Sequence, residues 1–156
     1  LYNSEATKQL LYKGDFEPQT AAQLFGGDAE IMRAACESEH LAGFSTVDIN
    51  MGCPVPKVYK NGEGSALLGD LPRAEKIISA CKKSSKTVSV KFRIGLDKNN
   101  IVAAELSRMC RGGGAARSGR GCSGSSRVVR GVVHGVGGQA DPPGAAGVGW
   151  AVKGVV

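Results

Sequence analysis

The chain has 156 residues, 42% of them apolar and 22% charged, which suffices for one ordinary domain with its own core. Its net charge of +6 is uneven: residues 111–156 carry six basic residues against the single acid Asp141, and 14 of the 23 glycines, so a nucleic-acid reading of the charge concerns that tail alone. Five scattered cysteines without a C-x-x-C pair argue against a disulfide framework or a bound metal, and the lack of a long apolar run or opening signal peptide points to a cytoplasmic protein with no membrane partner.

In chain order, 21–25 reads as a short strand closed by Gly26-Gly27. Asp28 then caps a helix carrying Ile31, Met32, Ala35 and Leu41. Val47, Ile49 and Met51 alternate with Asp48, Asn50 and Gly52, the period of a strand. A loop rich in Gly, Pro and Lys runs from Gly52 to Gly69. Asp70 caps the next helix, with Pro72 in its first turn and Leu71, Ala74, Ile77, Ile78 and Cys81 as its apolar stripe. Val88, Val90, Phe92 and Ile94 alternate with Ser89, Lys91 and Arg93 in a third strand. A further helix starts near Asn100 with Val102, Leu106 and Met109 on one face.

Strands separated by helical crossovers predict an α/β chain with a parallel sheet, either doubly wound or part of an eight-stranded barrel. The polar residues Gln23, Asn50, Lys91 and Arg93 fall toward the C-terminal ends of the strands, where barrel enzymes build their sites, which favours the barrel. Residues 1–110 form this α/β part. Residues 111–156 are a Gly/Arg/Ala-rich tail without sustained period, expected to be irregular or disordered, or the product of a shifted reading frame.

Cys53, between Gly52 and Pro54 just past a strand end, is placed at the mouth of the strand, whereas Cys36, Cys81 and Cys110 lie in helical patterns and read as small buried hydrophobes. Lys91 and Arg93 share one face of an otherwise apolar strand. Both faces of a parallel sheet are normally covered, so two cations there call for an anionic or electron-rich partner. Asn50 reads equally well as a hydrogen-bonding ligand or a structural turn-former. Gly62-Glu63-Gly64-Ser65 lacks the residues and spacing of a phosphate loop and reads as a flexible surface segment with Lys57 and Lys60.

Taken together, Gln23-Leu24-Phe25-Gly26, the run from Val47 to Pro54, Val55-Pro56-Lys57-Val58, the run from Lys60 to Leu68, and Val88 to Gly95 resemble the tRNA-dihydrouridine synthases. The likeness covers roughly residues 1–110, with several motifs in register. It implies a partial TIM (β/α)8 barrel, about three strands of the eight, that binds FMN and reduces uridine in tRNA to dihydrouridine, with NADPH recharging the flavin. By position, Cys53 matches the family's catalytic cysteine, and Gln23 and Lys91 match residues that contact the flavin. The resemblance also implies that Asn50 and Arg93 border flavin or substrate.

The resemblance stops short on both sides. No Ala-Pro-Met-like first strand precedes Leu1, and no Val-His-Gly-Arg-like strand follows Cys110 at the expected distance, Val133-His134-Gly135 being a late partial echo. The expectation is a fragment, inactive alone. Two alternatives stand beside it: another FMN-dependent barrel oxidoreductase acting on a free pyrimidine, and a non-catalytic RNA-binding fragment working through the basic tail. That tail offers only Trp150 for stacking on bases.

Overall fold

The computed structural model describes residues 9–14, 20–111, 118–123, 126–133 and 151–154. Three parallel strands form its centre: β1 (Thr20–Leu24), β2 (Thr46–Met51) and β3 (Thr87–Arg93). Between β1 and β2 runs helix α1 (Ala29–Cys36), followed by a 3-10 turn at Glu39–Leu41. Between β2 and β3 lie the short helix α2 (Pro56–Lys60), a 3-10 segment (Gly64–Gly69) and helix α3 (Leu71–Cys81). A small antiparallel pair, β4 (Gly95–Asp97) with β5 (Asn100–Ile101), leads into helix α4 (Ala103–Arg111). This is the α/β class with a parallel sheet that the alternating pattern predicts.

The helix starts follow from capping. The Asp28 carboxylate accepts the N–H groups of Glu30 and Ile31, and that of Asp70 accepts Arg73 N–H, each satisfying donors that the first turn leaves open. In α1 the buried stripe is Met32, Ala35 and Cys36, whereas Ile31, expected in it, is exposed. Leu41 is buried as expected but sits in the 3-10 turn, because α1 ends at Cys36. In α3 the predicted stripe holds, with Ala74, Ile77, Ile78 and Cys81 buried and Leu71 half-buried. Leu106 of α4 is buried, and Val102 and Met109 pack against the same core.

The strands have two unlike faces. Val47, Ile49, Met51, Val88, Val90 and Phe92 are fully buried in one core with the helix stripes. The opposite face carries Gln23, Asp48, Asn50, Ser89, Lys91 and Arg93, since side chains alternate along a strand. Cys36, Cys81 and Cys110 are buried in the apolar core, as their helical positions predict.

One feature differs from the sequence reading. The stretch from Gly52 to Gly69, read as a loop, contains α2 and the 3-10 segment, and within residues 62–65, read as a flexible surface segment, Gly64 and Ser65 are buried, as are Leu67 and Leu68 beyond them. Leu67 and Leu68 supply the anchoring area, a contribution that glycine-rich spacing conceals. After Arg111 the described parts are strands: β6 (Ser118–Ser123), β7 (Ser126–Val133) and β8 (Ala151–Gly154). β7 pairs antiparallel with β3, and β8 parallel with β1, giving the order β6-β7-β3-β2-β1-β8. The rest of the expected irregular tail, His134 included, lies outside the described residues.

Among the described residues no helix is long and apolar enough to cross a membrane.

Candidate functional site

Strand register brings the polar residues together. Gln23 lies opposite Asp48, and Asp48 opposite Ser89. One step toward the strand ends on the same face, Asn50 lies opposite Lys91. All belong to neighbouring parallel strands whose C-terminal ends point the same way, so their side chains form one row, with Asp48 and Ser89 buried and Gln23, Asn50 and Lys91 half-buried.

The row is wired. Gln23 Nε2 donates to Asp48 Oδ2 (2.7 Å), and Asn50 Nδ2 donates to Gln23 Oε1 (3.0 Å). Asn50 Oδ1 accepts the Gly52 N–H (3.0 Å), and the Ser89 hydroxyl donates to Asp48 Oδ1. Asn50 thus closes the turn into Gly52, the structural one of the two roles left open by its sequence position.

Cys53 follows β2 in a backbone held at three points. The Gly52 N–H is taken by Asn50, the Gly52 carbonyl accepts Arg93 Nε (2.7 Å), and the Cys53 carbonyl accepts the Ser65 N–H (2.9 Å). The thiol is half-buried and free, neither sunk in the core nor loose on the surface. Arg93, expected beside flavin or substrate, gives its Nε to this brace. Lys91 is half-buried, and among the described residues no hydrogen bond or ion pair engages its ammonium. A cation so placed is suited to an electron-rich ligand.

Two residues of this site escape sequence reasoning. Gly64, in the left-handed region at φ +59°, packs against Cys53, and Arg73 of α3 donates Nε to the Gly27 carbonyl (2.7 Å). The Arg73 guanidinium also lies where a β-carbon on Gly27 or Gly62 would fall, 2.5 Å and 2.8 Å from its nitrogens. It therefore joins the loop after β1 to the loop after α2. The Gly-x-Gly spacing at Gly62 and Gly64 is the available signal, but without the residues of a phosphate loop it reads as a flexible surface segment.

Among the described residues no three His, Cys, Asp or Glu side chains are grouped as metal ligands.

The sequence matches the family model "Dihydrouridine synthase (Dus)" over residues 1–117. It is 39% identical over 102 residues to tRNA-dihydrouridine synthase B of Pseudomonas putida, covering 64% of this chain and 30% of that protein. It is 36% identical over 104 residues to a probable tRNA-dihydrouridine synthase of Helicobacter pylori strain 26695, covering 63% and 31%. Against probable tRNA-dihydrouridine synthase 2 of Bacillus subtilis it is 39% identical over 87 residues, covering 56% and 26%. The chain therefore spans about three-tenths of the length of the curated relatives it matches. With the matched segment including every residue of the wired row and the Cys53 brace, the chain belongs to the dihydrouridine synthase family.

Proposed function

We propose that this chain supplies the cysteine-bearing wall of a flavin-dependent (β/α)8 barrel that reduces uridine in tRNA to 5,6-dihydrouridine. The observation that carries the reading is the row Gln23–Asn50–Lys91 at the strand ends, beside a free and backbone-braced Cys53. The two-faced sheet suits a barrel wall, with the helix-packed side outward and the polar side toward the barrel interior.

The donor set fits FMN. After its internal bonds, Gln23 keeps one amide N–H and Asn50 another, and Lys91 adds an ammonium, so the row offers hydrogens and positive charge to a ring edge rich in acceptors. Gln23 and Lys91 would hold the flavin, with Asn50 and Arg93 at its border or against the uracil. Bound there, FMN would supply the hydride, and NADPH the electrons that restore it. The residues of the chain do the rest. Lys91 would offset negative charge on the reduced ring in a site shielded from water. Cys53 would hold a proton on Sγ and give it to the uracil carbon next to the one that gains the hydride, leaving a thiolate that is reprotonated from solvent. A uridine must leave its stack to reach a thiol at the mouth of a barrel.

The test is a hybrid: residues 20–111 of this chain replace the homologous segment of the Pseudomonas putida synthase B. The hybrid is expected to form dihydrouridine in tRNA with NADPH and to leave free uracil untouched. Reduction of free uracil with none of tRNA would overturn the choice of substrate.

A further inference from the structure

Asp48 takes no part in the chemistry proposed above, yet it is an acid only 1% exposed on the polar face of β2. Its bonds have a direction. A carboxylate only accepts hydrogen bonds and a backbone N–H only donates them, and between these ends stand two primary amides, each with one donating and one accepting end. Because Asp48 accepts from Gln23 Nε2, Gln23 must turn Oε1 toward Asn50. Because that oxygen accepts from Asn50 Nδ2, Asn50 must turn Oδ1 toward the Gly52 N–H. The orientation of a lone amide is ambiguous from shape, whereas here both ends of the series dictate it.

We propose that Asp48 is a positioning residue: acting through Gln23 and Asn50, it fixes which atoms of those amides face the site and steadies the Gly52 N–H ahead of Cys53. With this polarity the spare hydrogens of both amides are N–H groups and neither oxygen is left over without a donor. Reversed, the series would set the oxygen of Gln23 against the carboxylate and the Asn50 amide nitrogen against the Gly52 N–H, two repulsive contacts in a half-buried row. Ser89, donating to the other carboxylate oxygen, holds Asp48 itself. What Asp48 contributes is an acceptor at that point, and neither volume nor net charge substitutes for it. The use of this orientation by a ligand rests on the flavin reading, but the relay does not.

The experiment is amide hydrogen exchange by NMR on the full 156-residue chain, without flavin, so that the relay and the flavin site can fail separately. Asp48→Leu keeps the volume and removes the acceptor: protection of the Gly52 N–H should fall about tenfold, the worth of one lost hydrogen bond, while Val88 and Val90 stay protected. Asp48→Asn keeps an acceptor, and Ser89 can rotate to accept from its amide, so Gly52 should remain protected. Should Asp48→Leu fail to fold, Gln23→Met, at a half-buried position, reads the same relay, because Gln23 does not touch Gly52. Unchanged Gly52 protection in Gln23→Met overturns the proposal, as does an Asp48→Asn variant that behaves like Asp48→Leu.

Discussion

A β-carbon added to Gly64 would lie 2.7 Å from the carbonyl oxygen of Cys53 and 3.0 Å from its Cβ, so the backbone of one residue closes on the other with no room for a side chain. Gly64 also has φ +59°, where an L side chain is strained whatever the space. Gly64→Ala should therefore cost about 1–3 kcal/mol of stability and displace Cys53. The readouts are urea unfolding and the alkylation rate of the Cys53 peptide by mass spectrometry, expected to change several-fold. Gly43→Ala is the control, since nothing lies within 4 Å of its added carbon, and it should stay within about 0.5 kcal/mol. Equal effects of the two substitutions would remove Gly64 from the site.

Arg73 should act as a clamp between loops that are far apart in sequence. Arg73→Ala loses a charged donor to the Gly27 carbonyl, part-buried, and is expected to cost about 1–2 kcal/mol. Lysine should restore little, because it lacks the planar fork that lies against both glycines. The sharper measurement is a double-mutant cycle with Gly27→Ala, whose new carbon would meet the guanidinium at 2.5 Å. That substitution should be costly alone and distinctly milder when Arg73 is already alanine. Additive effects would mean that Arg73 and Gly27 do not act on each other.

Much of this arrangement is legible in the sequence, and the parts that are not have identifiable causes. Val47-Ile49-Met51 and Val88-Val90-Phe92 announce their strands because a two-residue period needs no long-range information. Asp28 and Asp70 announce helix starts because capping is local. Ile31 misleads because hydrophobicity alone does not say which of two adjacent residues faces the core, and Met32 takes that place. Asp48 reads as the polar half of an alternation, yet it is buried; its partners Gln23 and Ser89 come from neighbouring strands, 25 and 41 residues away in sequence, and only register reveals them. Gly64 and Arg73 are hidden for the same reason, since close approach between loops leaves no periodic trace. Gln23, Asn50, Cys53 and Lys91 stand out in the sequence through the family resemblance and their place at strand ends, and strand register sets Gln23, Asn50 and Lys91 side by side.

In the hybrid synthase, Cys53→Ala should lower turnover by about 10²–10⁴-fold, the usual worth of a general acid, with flavin retained. Lys91→Met should instead lose flavin, seen as a fall in visible absorbance on purification. Serine at 53 keeps the size but is a far weaker acid, so it should not restore turnover. Wild-type turnover in Cys53→Ala would sink the proton-donor role, and full flavin content in Lys91→Met would sink the assignment of the ammonium. The 156-residue chain by itself should purify with well under one flavin per chain, because its open sheet does not close into a barrel.

The composition of residues 111–156, with 14 glycines and one acid in 46 positions, differs so sharply from the preceding part that we propose a shifted reading frame as its origin. The family match ends at residue 117, close to the same point. Sequencing the coding DNA should reveal, in one of the two other frames downstream of Cys110, a strand ending in a Val-His-Gly-Arg-like run. Two frames without such a run would refute the idea.

Alkaline pH should expose the contribution of Cys110. Burial pushes its thiol up to about 11, with Lys82 opposing weakly, from an unfolded value near 9.0. The folded state therefore holds the proton over a pH range in which the unfolded state has lost it. The stabilising difference is fully present below about pH 9 and is lost as pH rises toward 11, since the unfolded state then binds fewer protons. Two units correspond to about 2–3 kcal/mol at most. Cys110→Ala removes the titrating group at the cost of a small cavity, so its absolute stability is a poor guide and the slope is the proper readout. Urea unfolding between pH 8 and 11 should show a shallower decline in Cys110→Ala than in the parent chain. Parallel curves would mean that the thiol is not held neutral by its burial on the core-facing side of α4.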